Sequence, residues 1–236
     1  MAMRVAARSG TLVLAVAAFA AAMAASPPIG NVEAGRLKAE AERCHECHGA
    51  QGQGDGHTNA DARFAKLAGQ HASYLLMQLQ RYRSGQRKHD VMQLNTRDLD
   101  DQDLRDLSAY YASLAPMRAE QTAGDPAPAR RLFSEGDATR GITACATCHG
   151  PGGAGTAPVQ PQVPLLAGQD PRYLELQLHD WRSSWRTEST PGLMNQVTRH
   201  LTDAEIKGLA SYLSGQSISG QSIEALRADA QKQNGP

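Results

Sequence analysis

Aromatic side chains are scarce in this chain: three Phe, two Trp and six Tyr in 236 residues. So few large apolar groups leave little with which to fill a core. Small domains built from such a chain need something else inside, and a bound cofactor would serve. Net charge is lacking as well, with 24 basic and 24 acidic residues. That balance gives no support for a nucleic-acid partner, which would want a basic face. Cysteine occurs only at 44, 47, 145 and 148, in two close pairs. Strand-like alternation is missing throughout. After residue 25 no apolar run approaches the ~20 residues of a membrane span, so membrane association is expected to be peripheral at most.

What is present begins with an address. Arg4 and Arg8 precede an apolar run over residues 11–25, and Ala22-Met23-Ala24 has the small-x-small form of a cleavage site. This reads as a signal peptide removed near Ala24 or Ala25, because the run is short for a retained anchor. Its removal leaves 22 basic and 24 acidic residues in an exported chain, and the expected location is the periplasm.

The chain is also a repeat. Cys44-His45-Glu46-Cys47-His48-Gly49 returns as Cys145-Ala146-Thr147-Cys148-His149-Gly150. Leu67-Ala68-Gly69-Gln70 returns as Leu166-Ala167-Gly168-Gln169, and Tyr74 and Gln78 as Tyr173 and Gln177, all 99 residues later. Met92 and Leu99 return as Met194 and Leu201, 102 residues later. A unit of roughly 90–100 residues has been duplicated. The expected organisation is a signal peptide over 1–25, a first domain over 26–118, a linker over 119–130, a second domain over 131–216 and a polar tail over 217–236. Residues 115–131 hold three Pro and no apolar periodicity, which is linker composition.

Within each unit the periodicity is helical. Asn31 and Asp137 stand where an N-cap would open a first helix. Apolar residues recur at helical spacing over 74–82 and 173–181. Thr202 through Glu205 forms a capping box before the last helix, and Asp100 through Asp103 imitates it. Leu104, Leu107, Tyr111 and Leu114 then line one face, matched by Ile206, Leu209 and Leu213. The fold class is all-α: two tandem helical domains, each of three or four short helices joined by Gly- and Pro-rich loops.

Three chemistries compete for the cysteine motif. A thioredoxin-like pair expects a βαβ setting, which the pattern lacks. A zinc site would have to join pairs lying about 100 residues apart in separate units. Cys-x-x-Cys-His as a c-type haem attachment site uses every residue. Cys44 and Cys47, and likewise Cys145 and Cys148, would form thioethers, with His48 and His149 as proximal ligands. Two copies in register favour two covalently bound haem c groups. For the sixth ligand, Met194 is the only methionine after Met117. It lies in an expected irregular stretch before the last helix. Its register partner Met92 is preferred over Met77, read as core filler, and over Met117 in the linker. His89 remains a rival to Met92. The glycines after each motif are read as letting backbone pass close to a flat macrocycle.

The two CxxCHG motifs, the two LAGQ segments, Met92 and Met194, and the "LSAYY" and "LASYL" final helices together resemble the diheme cytochrome c4 family, over roughly residues 30–215. The resemblance implies two cytochrome c-like domains facing each other across a pseudo-twofold interface with haem propionates near it. It implies a periplasmic electron carrier working between a membrane-bound donor complex and a terminal oxidase. It also implies that Pro164 supplies a carbonyl to the proximal His149 ring, with Ala65 standing at that place in the first unit. The rival readings are a subunit of a dehydrogenase complex, or a diheme enzyme such as a peroxidase or a thiosulfate-oxidising cytochrome. An enzyme of that kind would need one iron with a labile or unusual ligand, whereas both units offer a matching Met.

Overall fold

The side chain of Asn31 accepts a hydrogen bond from the Ala34 N–H at 2.9 Å and so opens α1, Val32–Ala41. In this computed structural model residues 30–56, 64–122, 124, 126–156, 163–189, 192–218, 224 and 228 are described. The expected signal peptide with its cleavage site, His57 and most of the polar tail lie outside the described residues. After α1 come α2 (His45–His48), α3 (Ala72–Arg83), α4 (Asp90–Thr96) and α5 (Asp101–Ser113). The second unit repeats the order with α6 (Ala127–Glu135), α7 (Ala146–His149), α8 (Pro171–Arg182), α9 (Leu193–Thr198) and α10 (Asp203–Ser214). No strand occurs among the described residues. One isolated bridge pairs Asp137 with Ile142.

Both final helices start on complete capping boxes, Asp100 with Asp103 and Thr202 with Glu205. Each is the hub of its domain. α1 and α3 pack on α5, and α6 and α8 pack on α10. The hub residues are the anticipated ones: Leu104, Leu107 and Tyr111 in the first core, and Ile206, Leu209 and Leu213 in the second.

Two boundaries differ from the sequence reading. The first helix of the second unit starts at Ala127, inside the stretch taken for linker. Pro126 is its N-cap and Pro128 falls in its first turn, where a missing N–H costs nothing because that N–H has no helical acceptor. Proline there marks a helix start. Asp137 caps no α-helix. It accepts from the Thr139 N–H at 3.1 Å and holds a 3-10 turn over Ala138–Arg140. Arg140 then links Asp137 to Glu205 of α10, at 2.6 and 2.5 Å.

The two domains join through their LAGQ segments. Gln70 donates to the Leu165 carbonyl at 3.0 Å and accepts from the Leu165 N–H at 2.9 Å. Gln169 returns the bond, donating to the Lys66 carbonyl at 2.9 Å and accepting from the Lys66 N–H at 2.7 Å. Lys66 and Leu165 are themselves 99 residues apart, so the contact has pseudo-twofold symmetry. The preceding glycines serve it. Gly69 and Gly168 hold φ of +66° and +74°, and a Cβ on either would lie 2.7 Å from the backbone of Pro116 or Met117. Met117, Leu165, Ala167 and Ile218 form a third apolar cluster here. Met117, assigned to the linker, is 3% exposed, and its sulfur accepts from Gln169 at 3.3 Å. Ile218, assigned to the tail, is buried as well.

Candidate functional site

Each cysteine pair occupies one tight helical turn. Cys44 and Cys145 precede α2 and α7, and the His48 and His149 N–H groups bond back to their carbonyls at 3.0 and 2.9 Å. All four thiols are free and half-buried. Burial pushes the Cys44 and Cys145 thiols up to about 11. A thioredoxin-like pair expects a βαβ setting, and no strand occurs among the described residues. Among the described residues no group of three or more His, Cys, Asp or Glu could hold a metal ion, so the zinc reading has no geometry either.

The histidines are oriented identically. His48 Nδ1 lies 2.9 Å from the Ala65 carbonyl, and His149 Nδ1 lies 3.0 Å from that of Pro164. A carbonyl only accepts, so Nδ1 carries the proton and Nε2 presents a lone pair. Desolvation lowers the pKa of both rings, which keeps them neutral and ligand-competent. The bond at Ala65 is as short as that at Pro164. The carbonyl is what matters, and the proline ring is dispensable to its placement.

The glycines following each histidine hold left-handed backbone in tight turns. Gly49 and Gly150 have φ of +79° and +72°, and a Cβ would collide with Asp55 or with the Gly155 carbonyl at 1.9 Å. The loop folds back so that the Gly54 and Gly155 N–H groups cap the His48 and His149 carbonyls at 2.8 and 2.9 Å.

Met92 and Met194 lie within the short helices α4 and α9, where an irregular stretch was expected for Met194. Both are half-buried. Their carbonyls accept from the Thr96 and Thr198 hydroxyls, each at 2.7 Å, and both threonines are 1% exposed. Thr96 and Thr198 were not singled out in the sequence, although they share the 102-residue offset of the methionines. Bonding to the i−4 carbonyl bends a helix, and here it fixes the backbone that carries the sulfur. His89, the rival, is the N-cap of α4, and its Nδ1 accepts from the Met92 N–H at 3.3 Å. Met77 is half-buried and lines a surface groove with Gln80, Arg83 and Asp101, so it is not core filler. Of the other histidines, His71 is buried, His179 pairs with Arg182 at 3.0 Å, and His45 and His200 are exposed.

At the domain interface lie two buried guanidiniums that the sequence reading missed. Arg87 is 5% exposed and bonds Gln78, Tyr173 and Gln177 at 2.8, 3.0 and 2.6 Å. Arg186 bonds Gln177 at 2.5 Å and Glu188 at 2.8 and 2.5 Å. Two buried cations against one bonded carboxylate leave a surplus of positive charge that an anionic group would offset. Paired half-buried thiols, neutral imidazoles with Nε2 left as a lone-pair donor and this cationic patch together fit a haem c in each domain: thioethers, an iron ligand and counter-charges for propionates. The one available signal was the 99-residue register between Arg87 and Arg186.

A family model described as cytochrome c matches residues 32–115 and again 130–217. The thiosulfate dehydrogenase electron acceptor of Thiomonas intermedia (strain K12) is 35% identical over 208 residues, 84% of this chain and 85% of that protein. A cytochrome c4 of Pseudomonas aeruginosa is 36% identical over 190 residues, 79% of this chain and 89% of its own. The crystal structure of reduced recombinant cytochrome c4 from Pseudomonas stutzeri is similar at a TM-score of 0.69 and 34% identity, covering 80% of this chain and all of that one.

Proposed function

The chain belongs to the diheme cytochrome c4 family, as an electron-transfer protein with two covalent haem c groups, and from that premise we propose that it is a periplasmic carrier delivering electrons from a membrane-bound donor towards a terminal oxidase. The observation that carries the site is the repeated imidazole arrangement, with Nδ1 held by the Ala65 or Pro164 carbonyl and Nε2 left for iron. Cys44 and Cys47 would tether one haem, and Cys145 and Cys148 the other. His48 with Met92, and His149 with Met194, would hold the irons from both sides. Bound there, the haems supply a one-electron Fe(III)/Fe(II) couple, and a thioether ligand raises its potential.

The protein's part is rigidity. The Thr96 and Thr198 hydroxyls pin the methionine backbones, and the glycine loops pin the histidines. Little then moves when an electron arrives. With His48 and Met92 holding one iron and His149 and Met194 the other, no site would be left open for peroxide, which favours a carrier over an enzyme. No helix among the described residues is long and apolar enough to cross a membrane, and export by the N-terminal segment is the basis for the periplasmic assignment.

The visible spectrum of the oxidised protein tests the ligands, because a weak band near ~695 nm reports Met–Fe(III) bonding. Met92→Ala and Met194→Ala should each remove part of it, and a spectrum untouched by either change would sink the assignment. A second reading is favoured by the likeness to the Thiomonas protein: this chain accepts electrons from a thiosulfate dehydrogenase. Rapid reduction by thiosulfate only when such an enzyme is added would support it. Reduction by a quinol-linked complex alone would favour the first reading.

A further inference from the structure

Each domain follows its long helix with the same tight turn. The Ser84 and Gly85 N–H groups bond back to Gln80 and Tyr82, and those of Ser183 and Ser184 bond back to His179 and Trp181. Arg83 and Arg182 brace the two turns alike, bonding the Leu99 and Leu201 carbonyls at 2.8 and 2.7 Å. The copies differ in what the turn presents. Gly85 holds φ of +76°, whereas its register partner Ser184 holds +61°, a backbone that any residue with a Cβ disfavours. Strain of this kind clusters at functional sites. The next residue is Gln86 in the first domain and Trp185 in the second, and Trp185 is 60% exposed. Its backbone is fixed even so, because Arg186 beside it is buried and stacks on Trp181 at 4.1 Å. Trp185 also marks the junction of the domains. The ammonium of Lys88, from the first domain, lies over its ring, 5.3 Å from the centroid. Lys88 is exposed and makes no ion pair among the described residues. Arg81 is half-buried at the edge of a groove with Met77, Ser84 and Gln86, and its guanidinium likewise has no hydrogen bond or ion pair among the described residues. Burial lowers its pKa although Glu188 opposes the shift, so its charge is under-compensated. Glu188 itself is bonded to Arg186 and 5% exposed, and Asp90 lies in the first turn of α4, where the helix dipole favours it.

We infer that Trp185, Lys88 and Arg81 form the docking face for an acidic surface of the electron-donating protein, so that the electron enters at the seam between the domains. The inference rests on the diheme carrier reading above. Exposed tryptophan and arginine are the side chains that dominate binding when a partner covers them. The Trp185 ring is the apolar anchor, and carboxylates of the partner pair with Lys88 and Arg81, which steers the encounter. Arg87 and Arg186, the chain neighbours of Lys88 and Trp185, lie directly beneath in sequence and belong to the interface itself. The partner loses one electron and this chain gains it, with no bond formed or broken. Val91 and Leu193, beside the two methionines, are 50% and 42% exposed, but each belongs to one domain. A partner seated on either would face one domain only, whereas the seam faces both.

Stopped-flow reduction of the oxidised holoprotein tests this, with two donors: membranes carrying a quinol-linked complex, and a thiosulfate dehydrogenase supplied with thiosulfate. With the donor that reduces the wild type, Trp185→Ala should slow the second-order rate about thirtyfold, and Trp185→Phe should recover most of it. Arg81→Glu and Lys88→Glu should each slow it about tenfold at low salt, with the difference closing as salt rises. Val91→Ser and Leu193→Ser should leave the rate unchanged. Reduction by dithionite, which needs no docking, should be the same in every variant. An unchanged rate in Trp185→Ala overturns the proposal, as does slowing by Leu193→Ser or Val91→Ser in its place. Slowing of Trp185→Ala towards dithionite as well would mark a structural role and overturn it too. A dimer of the wild type that Trp185→Ala dissociates, seen by sedimentation, would assign the face to a second copy of this chain and equally overturn it. Failure of both donors to reduce a wild type that dithionite does reduce would instead overturn the carrier reading, and the docking face with it.

Discussion

Gln70→Ala should loosen the two domains without disturbing either haem pocket. The wild-type side chain is 4% exposed, and its amide makes both a donor and an acceptor bond to the backbone of Leu165, itself 1% exposed. Truncation strands the Leu165 N–H and carbonyl in a dry seam. Each buried group left unpaired costs about 1–3 kcal/mol. Water entering the new space moderates the sum, so a docking loss of about 2–4 kcal/mol is expected. For a chain of this size that lowers the midpoint of thermal unfolding by about 4–16 °C. It should also split one cooperative transition into two, because inter-domain contacts of this kind are small. Gln70→Glu keeps the acceptor, loses the donor and buries a charge, so it should cost at least as much. Calorimetry of the holoprotein, alongside its visible spectrum, is the assay. A single transition within about 1 °C of wild type for Gln70→Ala would refute the reasoning, whatever the haem spectrum showed.

Three further outcomes follow from the same geometry. Burial pushes His71 down to about 4, below the ~6.5 of an unfolded chain. The unfolded state therefore takes up the proton first as pH falls. The His71 contribution is complete above pH ~6.5 and is lost between there and about 4, roughly 3 kcal/mol in all. Denaturant unfolding of wild type and His71→Gln across that range should show a shallower pH slope in the variant. Thr198→Val removes the hydroxyl bond to the Met194 carbonyl at 2.7 Å and should cost about 1 kcal/mol, with partial loss of the ~695 nm band; an unchanged band would mean that the hydroxyl does not position the ligand. Cys145→Ser/Cys148→Ser should halve the haem that survives acidic extraction, measured as pyridine haemochrome, and the first domain should keep its share.

Short-range patterns carried much of this molecule in plain view. The haem motif is read from five adjacent residues, because two thiols one helical turn apart and a neighbouring imidazole must meet a single cofactor. The capping boxes at Asp100 and Thr202 are four-residue signals and survive intact. The pair Met92 and Met194 could be chosen because duplication turns one sequence into two comparable copies. The same comparison contained Arg87 with Arg186 and Thr96 with Thr198, yet offered no reason to single them out. Proline misled at Pro126 and Pro128, since linker and helix start share the same composition.

The amino-acid order by itself determined the repeat, the helical class, the attachment chemistry and the matched methionines, all of which depend on neighbours a few residues apart or on a copy at fixed offset. Only the tertiary structure decided what LAGQ is for, why Met117 and Ile218 are buried, and which side chains surround the Arg87 and Arg186 guanidiniums. Those contacts join residues of opposite domains or distant segments, Gln70 with Leu165 and Arg87 with Gln177 among them. A hydrogen bond closed across such a distance imposes no periodicity on the chain around it, so its partners become visible only when the two domains meet.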